Sequence, residues 1–237
     1  MHNFSRRLAI VVASSVLTAV PHVASAQTWS MWNSSMGGND AFGTVSGTLL
    51  GNSITYTGLF FDFDGTSAAP DFWQGANLVQ NGSQAAYSQN GVTAPTNSSL
   101  IRFNVQGGGK ISFGSAVVNP FMAFNSIGQS GRPVTYDFGT SAFNVVSDNT
   151  SLPAYWSTGS HAVLGNALTG TEFSGVIKFL GTFSEIDFTT NAPENWHAIT
   201  VGAESAGSVV PEPSTYALMA TGLAGLFSVA RRRRQVR

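Results

Sequence analysis

Alternation of apolar and polar positions dominates the middle of the chain. From Thr44 to Leu50, the positions Val45, Gly47 and Leu49 alternate with Ser46 and Thr48. From Ser53 to Leu59, Ile54, Tyr56 and Gly58 alternate with Thr55 and Thr57. A period of two puts each set on one side of an extended strand. Gly51-Asn52 between the two runs favours positive φ and predicts a two-residue hairpin turn. In that register Leu49 faces Ile54, Gly47 faces Tyr56 and Val45 faces Gly58, while Thr48 meets Thr55 and Ser46 meets Thr57. One side is apolar and the other bears hydroxyls, as a half-buried sheet requires.

Two further hairpins are predicted in the same way. Leu100–Gln106 and Lys110–Ser115 flank Gly107-Gly108-Gly109, which sets Val105 against Ile111 and Phe103 against Phe113. Gly175–Leu180 and Phe183–Phe188 flank Gly181-Thr182, which sets Ile177 against Ile186 and Lys178 against Glu185. Further strands are expected at Phe121–Ser126, Val134–Phe138, Ala142–Ser147 and His197–Val201, and no helical period stands out between residues 99 and 201. The pattern predicts an all-β domain, an antiparallel two-sheet β-sandwich of jelly-roll-like form. The stretch from Asp64 to Ser99 differs: Gly, Asn, Gln, Ser and Ala crowd it and alternation fades. A loop of that length inside a domain is often functional.

Charge narrows the possible partners. Between Gln27 and Val210 there are four basic and eleven acidic residues, a net charge of −7. Such a segment repels phosphate backbones, so no nucleic acid is expected as a partner. The chain has no cysteine, which excludes a thiol nucleophile and a thiolate-bound metal.

Both ends read as membrane signals. Arg6 and Arg7 precede an apolar run from Leu8 to Val20, and Ala24-Ser25-Ala26 supplies the small residues that signal peptidase accepts. This order predicts a signal peptide over residues 1–26, cut before Gln27, and the general secretory route. At the other end, Val210-Pro211-Glu212-Pro213 precedes 15 uncharged residues, Tyr216 to Ala230, and then Arg231, Arg232, Arg233 and Arg234. A helix of that length spans about 22 Å, shorter than a usual hydrocarbon core. It is expected to be a short, transient membrane helix, with the arginine cluster held on the cytoplasmic side. The domains are then the signal peptide (1–26), a β-sandwich ectodomain (27–201), a flexible linker (202–210) and the tail (211–237).

Motif, apolar segment and arginine cluster together resemble the PEP-CTERM sorting signal. The resemblance covers the tail alone. It implies recognition by an exosortase, a membrane protease that cuts near Pro211-Glu212-Pro213, in a Gram-negative bacterium that makes exopolysaccharide. What the family shares is a sorting route and not a catalytic activity, so the resemblance says little about the ectodomain.

Candidate chemistry in the ectodomain is sparse. Asp62 and Asp64 alternate with Phe61 and Phe63, so both carboxylates share one side of a strand end, where they are candidate Ca²⁺ ligands. His161 and His197 are the ectodomain's two histidines; each is expected to hydrogen-bond at a sheet edge, and no HExxH or GxSxG motif accompanies them. Trp73, Tyr155 and Trp156 fall in predicted loops and are candidate platforms for sugar rings. The expectation is a non-enzymatic protein without a resident cofactor, structural or adhesive, exported to the envelope or extracellular matrix. Signal peptidase and exosortase are its processing partners, and extracellular polysaccharide is a candidate ligand. A Ca²⁺-dependent carbohydrate-binding module and a secreted hydrolase are the alternatives.

Overall fold

The computed structural model describes residues 27–68, 72–73, 86–151 and 157–204. The signal peptide, the linker beyond Glu204 and the whole tail lie outside the described residues, and so does the short membrane helix expected there. Among the described residues there are fifteen strands in two antiparallel sheets and no α-helix.

Sheet A runs in the order β10 (Phe143–Asp148), β13 (Phe173–Phe179), β8 (Phe121–Ile127), β15 (His197–Glu204), β6 (Leu100–Phe103), β5 (Asp62–Asp64), with β1 (Gln27–Trp29) also paired to β15. Sheet B runs β11 (Ser160–Leu164), β12 (Ala167–Thr171), β9 (Val134–Asp137), β14 (Thr182–Thr190), β7 (Gly108–Val118), β4 (Asn52–Phe60), β3 (Ala41–Leu49), β2 (Met31–Met36). One large core joins the two sheets. Tyr56 of sheet B meets Phe103 of sheet A edge-on at 5.6 Å, Tyr136 meets Phe124 at 5.3 Å, and Phe138 meets Phe179 at 5.2 Å. Such ring pairs add about 0.5–1.5 kcal/mol each to the burial itself. Gly109 makes room for the Tyr56 ring, since a Cβ there would overlap it.

The first predicted hairpin forms with a different register. Its turn is Leu50-Gly51, both at positive φ (51° and 77°), and Leu49 pairs with Asn52, Gly47 with Ile54 and Val45 with Tyr56. The shift is an even number, so every side chain keeps its predicted side. Asn52 Nδ2 donates to the Leu50 carbonyl (3.3 Å), and its Oδ1 accepts from Ser115 (3.2 Å), which hold Asn52 in the strand.

The other two predicted hairpins do not form. β6 pairs with β5 and β15 in sheet A, whereas β7 pairs with β4 and β14 in sheet B. β13 likewise belongs to sheet A and β14 to sheet B. At each place the chain crosses from one sheet to the other. Phe103 and Phe113 do point into the same core, but from opposite sides of it. Lys178 therefore never faces Glu185. It bonds Glu204 (2.8 Å), and Glu185 bonds Lys110 (2.9 Å). Alternation records which side of a strand is buried; strands on either side of a core satisfy it as well as neighbours do.

The long stretch between β5 and β6 has a structural task. Phe72, Trp73, Ala86, Tyr87, Val92 and Ala94 form a second core with Trp29, Phe121, Ala123, Val176 and Ala198, on the side of sheet A away from sheet B. Ser147 Oγ donates to the Ala86 carbonyl (2.7 Å) and Asn125 Nδ2 to the Phe72 carbonyl (3.1 Å), fastening the cover to the sheet. This is why all seven residues of β8 are buried while β4 alternates. β15 continues through Gly202, which packs on the Trp29 ring, to Glu204, so the strand extends past residue 201 into the stretch read as linker.

Candidate functional site

Sheet B presents its outer side to solvent. Among the described residues no second core covers it, in contrast to sheet A. Its outward positions pair across strands: Thr44 with Thr57, Ser46 with Thr55, Thr55 with Ser112, and Thr135 with Thr169, whose hydroxyls bond at 2.7 Å. Neutral hydroxyls hydrogen-bond water or a ligand without the desolvation cost of a charge.

A groove of about 950 Å³ crosses this side, over β3, β4, β7, β14 and β9 and the turn that follows β9. Lys110, Glu185, Asp187 and Asp137 supply its charge. The Lys110 ammonium lies 2.9 Å from Glu185 and 3.7 Å from Asp187. Its hydrogen bond to Glu185 holds the ammonium above its ordinary range. One oxygen of Asp137 accepts the Gly139 N–H at 2.9 Å. At one end Phe42 is 69 % exposed, and its cross-strand partner Leu59 is half-buried. At the other end lies the half-buried ring of Phe183.

A second, smaller cleft of about 380 Å³ lies where β8 ends and β13 begins. Ser126 and Glu172 line it, both at positive φ (59° and 51°), and Ser126 Oγ donates to Glu172 (2.9 Å). Glu194 and Trp196 line the same cleft. Backbone strain of this kind costs about 1–3 kcal/mol per residue. Here it is offset by side-chain bonds: the Ser126 N–H donates to Ser174 Oγ and the Ser174 N–H to Asn149 Oδ1, each at 2.9 Å.

The residues singled out in the sequence fall in different places. Asp62 and Asp64 do share one side, and both turn to Arg102, at 2.6 Å and 3.4 Å. Burial, opposed by Arg102, raises the Asp64 carboxyl above its ordinary value. Among the described residues no three His, Asp or Glu side chains group as metal ligands. Trp73 is a core residue with 0 % exposure, edge-on to Tyr87 at 5.3 Å, so it has no free ring face for a sugar. Tyr155 and Trp156 lie outside the described residues, as do Ala24, Ala26, Pro211, Glu212, Pro213 and Arg231 to Arg234. Gln27 opens β1, paired with Glu204.

The histidines are not at exposed sheet edges as a pair. His161 sits on edge strand β11, half-buried, its ring 5.0 Å from Phe173. His197 is fully buried in β15, inside sheet A, stacked on Phe103 at 5.3 Å and with its Nδ1 against a Glu194 carboxyl oxygen. The groove itself escaped the sequence reading. Alternation does put Glu185 and Asp187 on one outward side, but Lys110 and Phe42 join them only through pairings between distant strands.

The described residues thus form an acidic, all-β domain in which they cover one outer side and leave the other open. Its tail matches the family model of the PEP-CTERM protein-sorting motif over residues 209–234. The chain carries that sorting motif, which implies an exported protein processed by an exosortase. No curated protein and no solved structure matches the chain.

Proposed function

We propose that the chain is a non-enzymatic structural or adhesive component of the cell envelope or extracellular polysaccharide matrix. It is exported as a precursor anchored in the inner membrane by its C-terminal helix and released by cleavage near Pro211-Glu212-Pro213. The ectodomain is a β-sandwich of jelly-roll-like form. The observation that carries this reading is the contrast between the two outer sides: sheet A is sealed by its own second core, and sheet B is open, hydroxyl-rich and grooved. A large open sheet that mixes hydroxyls with exposed apolar side chains suits contact with a hydrated polymer.

The hydrolase alternative has less support, since His197 is enclosed by Phe103 and Tyr136 and has no exposed surface. The Ca²⁺-dependent alternative is weakened by Arg102, a fixed cation between the two carboxylates proposed as ligands.

Expression of the full-length chain in an exosortase-containing host tests the reading. The native chain is expected to shorten and to co-sediment with washed matrix polymer. Replacing Pro211, Glu212 and Pro213 by alanine should leave a full-length chain in the inner-membrane fraction. Unchanged cleavage in that variant would overturn the sorting step, and a released chain that washes freely from the matrix would overturn the adhesive role.

A further inference from the structure

We infer that the groove on the outer side of sheet B binds a polysaccharide strand carrying free amino groups, an inference that rests on the adhesive reading and names its ligand class. Three observations converge on this occupant. The groove is built from pleated strands and sets hydroxyls and carboxylates among apolar ring and glycine surface, a mixture that suits a repeating chain of rings with polar edges and C–H faces. The Phe42 ring stands 69 % exposed at the end of the groove, with Leu59 beside it. An aromatic face held in water at a groove end is a platform for the C–H face of a sugar ring.

Charge then chooses among glycans. Asp137, Glu185 and Asp187 stand in the groove against the single ammonium of Lys110. That ammonium is already engaged by Glu185 and Asp187, at 2.9 and 3.7 Å. The surplus is negative and consists of acceptors. A uronate, sulfate or phosphate polymer is repelled by it. A neutral glycan gains hydrogen bonds but no charge pairing. A ring amine, protonated, donates charge-assisted hydrogen bonds to Asp187 and Asp137, which are stronger than neutral ones. A second copy of this chain, placed groove to groove by a two-fold axis, brings the same negative surplus against itself.

The test uses the full-length chain in a polyoxyethylene detergent. Its binding is measured by calorimetry against a β-1,4-glucosamine hexamer, the fully N-acetylated hexamer, dextran and polygalacturonate. The amine hexamer is expected to bind at least about tenfold more tightly than the others. Binding should weaken with added salt, and as pH rises past the pKa of the sugar amine. Phe42→Ala and, separately, Asp187→Asn should each weaken it by about tenfold while leaving the melting temperature in place, since both side chains are exposed. Equal binding of the amine and acetylated hexamers would overturn the inference while leaving the adhesive reading intact. Amine binding untouched by both variants would place the site elsewhere and overturn it as well. Loss of matrix retention in the cell experiment is a separate result and overturns the adhesive reading whatever the hexamers do. Concentration-dependent dimerisation abolished by Phe42→Ala, with no glycan bound, would assign the groove to self-association and overturn the inference.

Discussion

The Nδ1 atom of His197 meets a carboxylate oxygen of Glu194 inside the protein, with 0 % of the histidine side chain and 2 % of the glutamate side chain exposed. Tyr136 closes the site edge-on at 5.6 Å from the imidazole. Removing one member of a buried polar pair leaves the other without its partner, at a cost of about 1–3 kcal/mol. Glu194→Ala should destabilise the domain by about that amount in urea unfolding. A loss below about 1 kcal/mol would show that the pair is solvated in solution.

The same carboxyl gives the domain a pH dependence with a defined sign. Burial raises the Glu194 carboxyl above its ordinary value, and His197 and a Gly128 backbone hydrogen bond only partly oppose this. A carboxyl with a raised folded-state value holds its proton longer in the native state than in the unfolded chain. Its contribution is fully present below the unfolded value of 4.5 and is lost as pH rises through the folded one. Melting curves across mildly acidic pH should therefore contain a falling component that Glu194→Gln removes. A native chain and variant with parallel profiles would contradict this assignment.

Trp73 distinguishes a core residue from a binding residue. It is fully buried, and its Nε1 donates to the Ser99 carbonyl at 3.3 Å. Trp73→Ala should cost about 3–5 kcal/mol and expose the outer side of sheet A to hydrophobic dyes. A surface platform would show no such loss.

Leu50 holds a left-handed backbone conformation (φ 51°), which crowds the Cβ of any L-residue and which Asn tolerates better through local hydrogen bonds, and 38 % of Leu50 is exposed. Leu50→Asn creates the Asn-Gly pair that a turn of this kind prefers, and should raise stability by roughly 1 kcal/mol. A fall in melting temperature would mean that the apolar contacts of Leu50 outweigh its backbone strain.

Arg102 answers the calcium question directly. If it neutralises Asp62 and Asp64, as its distances of 2.6 and 3.4 Å imply, chelation leaves the melting temperature unchanged. Arg102→Ala should then cost at most about 1 kcal/mol, because Asp62 is half exposed. A calcium-dependent rise in melting temperature in the native chain would restore the ion-site reading.

Much of the strand content was legible in the sequence, and little of the strand pairing. Val45, Ile54, Ile111 and Ile186 announce their buried side through alternation, and all four reach the core. Which strand lies beside which is set by packing across the core and by crossings such as residues 104–107, where Thr190 and Gly107 exchange backbone and hydroxyl hydrogen bonds. Nothing local to Gly107 encodes that distant threonine. The cover over sheet A was equally silent, because Phe72, Trp73 and Tyr87 are scattered through a polar stretch without a period. The tail was the opposite case. Its signal lies in contiguous order and spacing, which sequence displays directly.

The pairing of Gln27 with Glu204 has a mechanical consequence. The two ends of the described domain leave from one place, and β15, which carries the chain toward the tail, is flanked by β8 on one side and by β6 and β1 on the other. Antiparallel hydrogen bonds run across the strand direction. Tension drawn along β15 through Glu204 therefore shears its bonds together instead of opening them one at a time. A domain pulled in this way answers as a single stiff link.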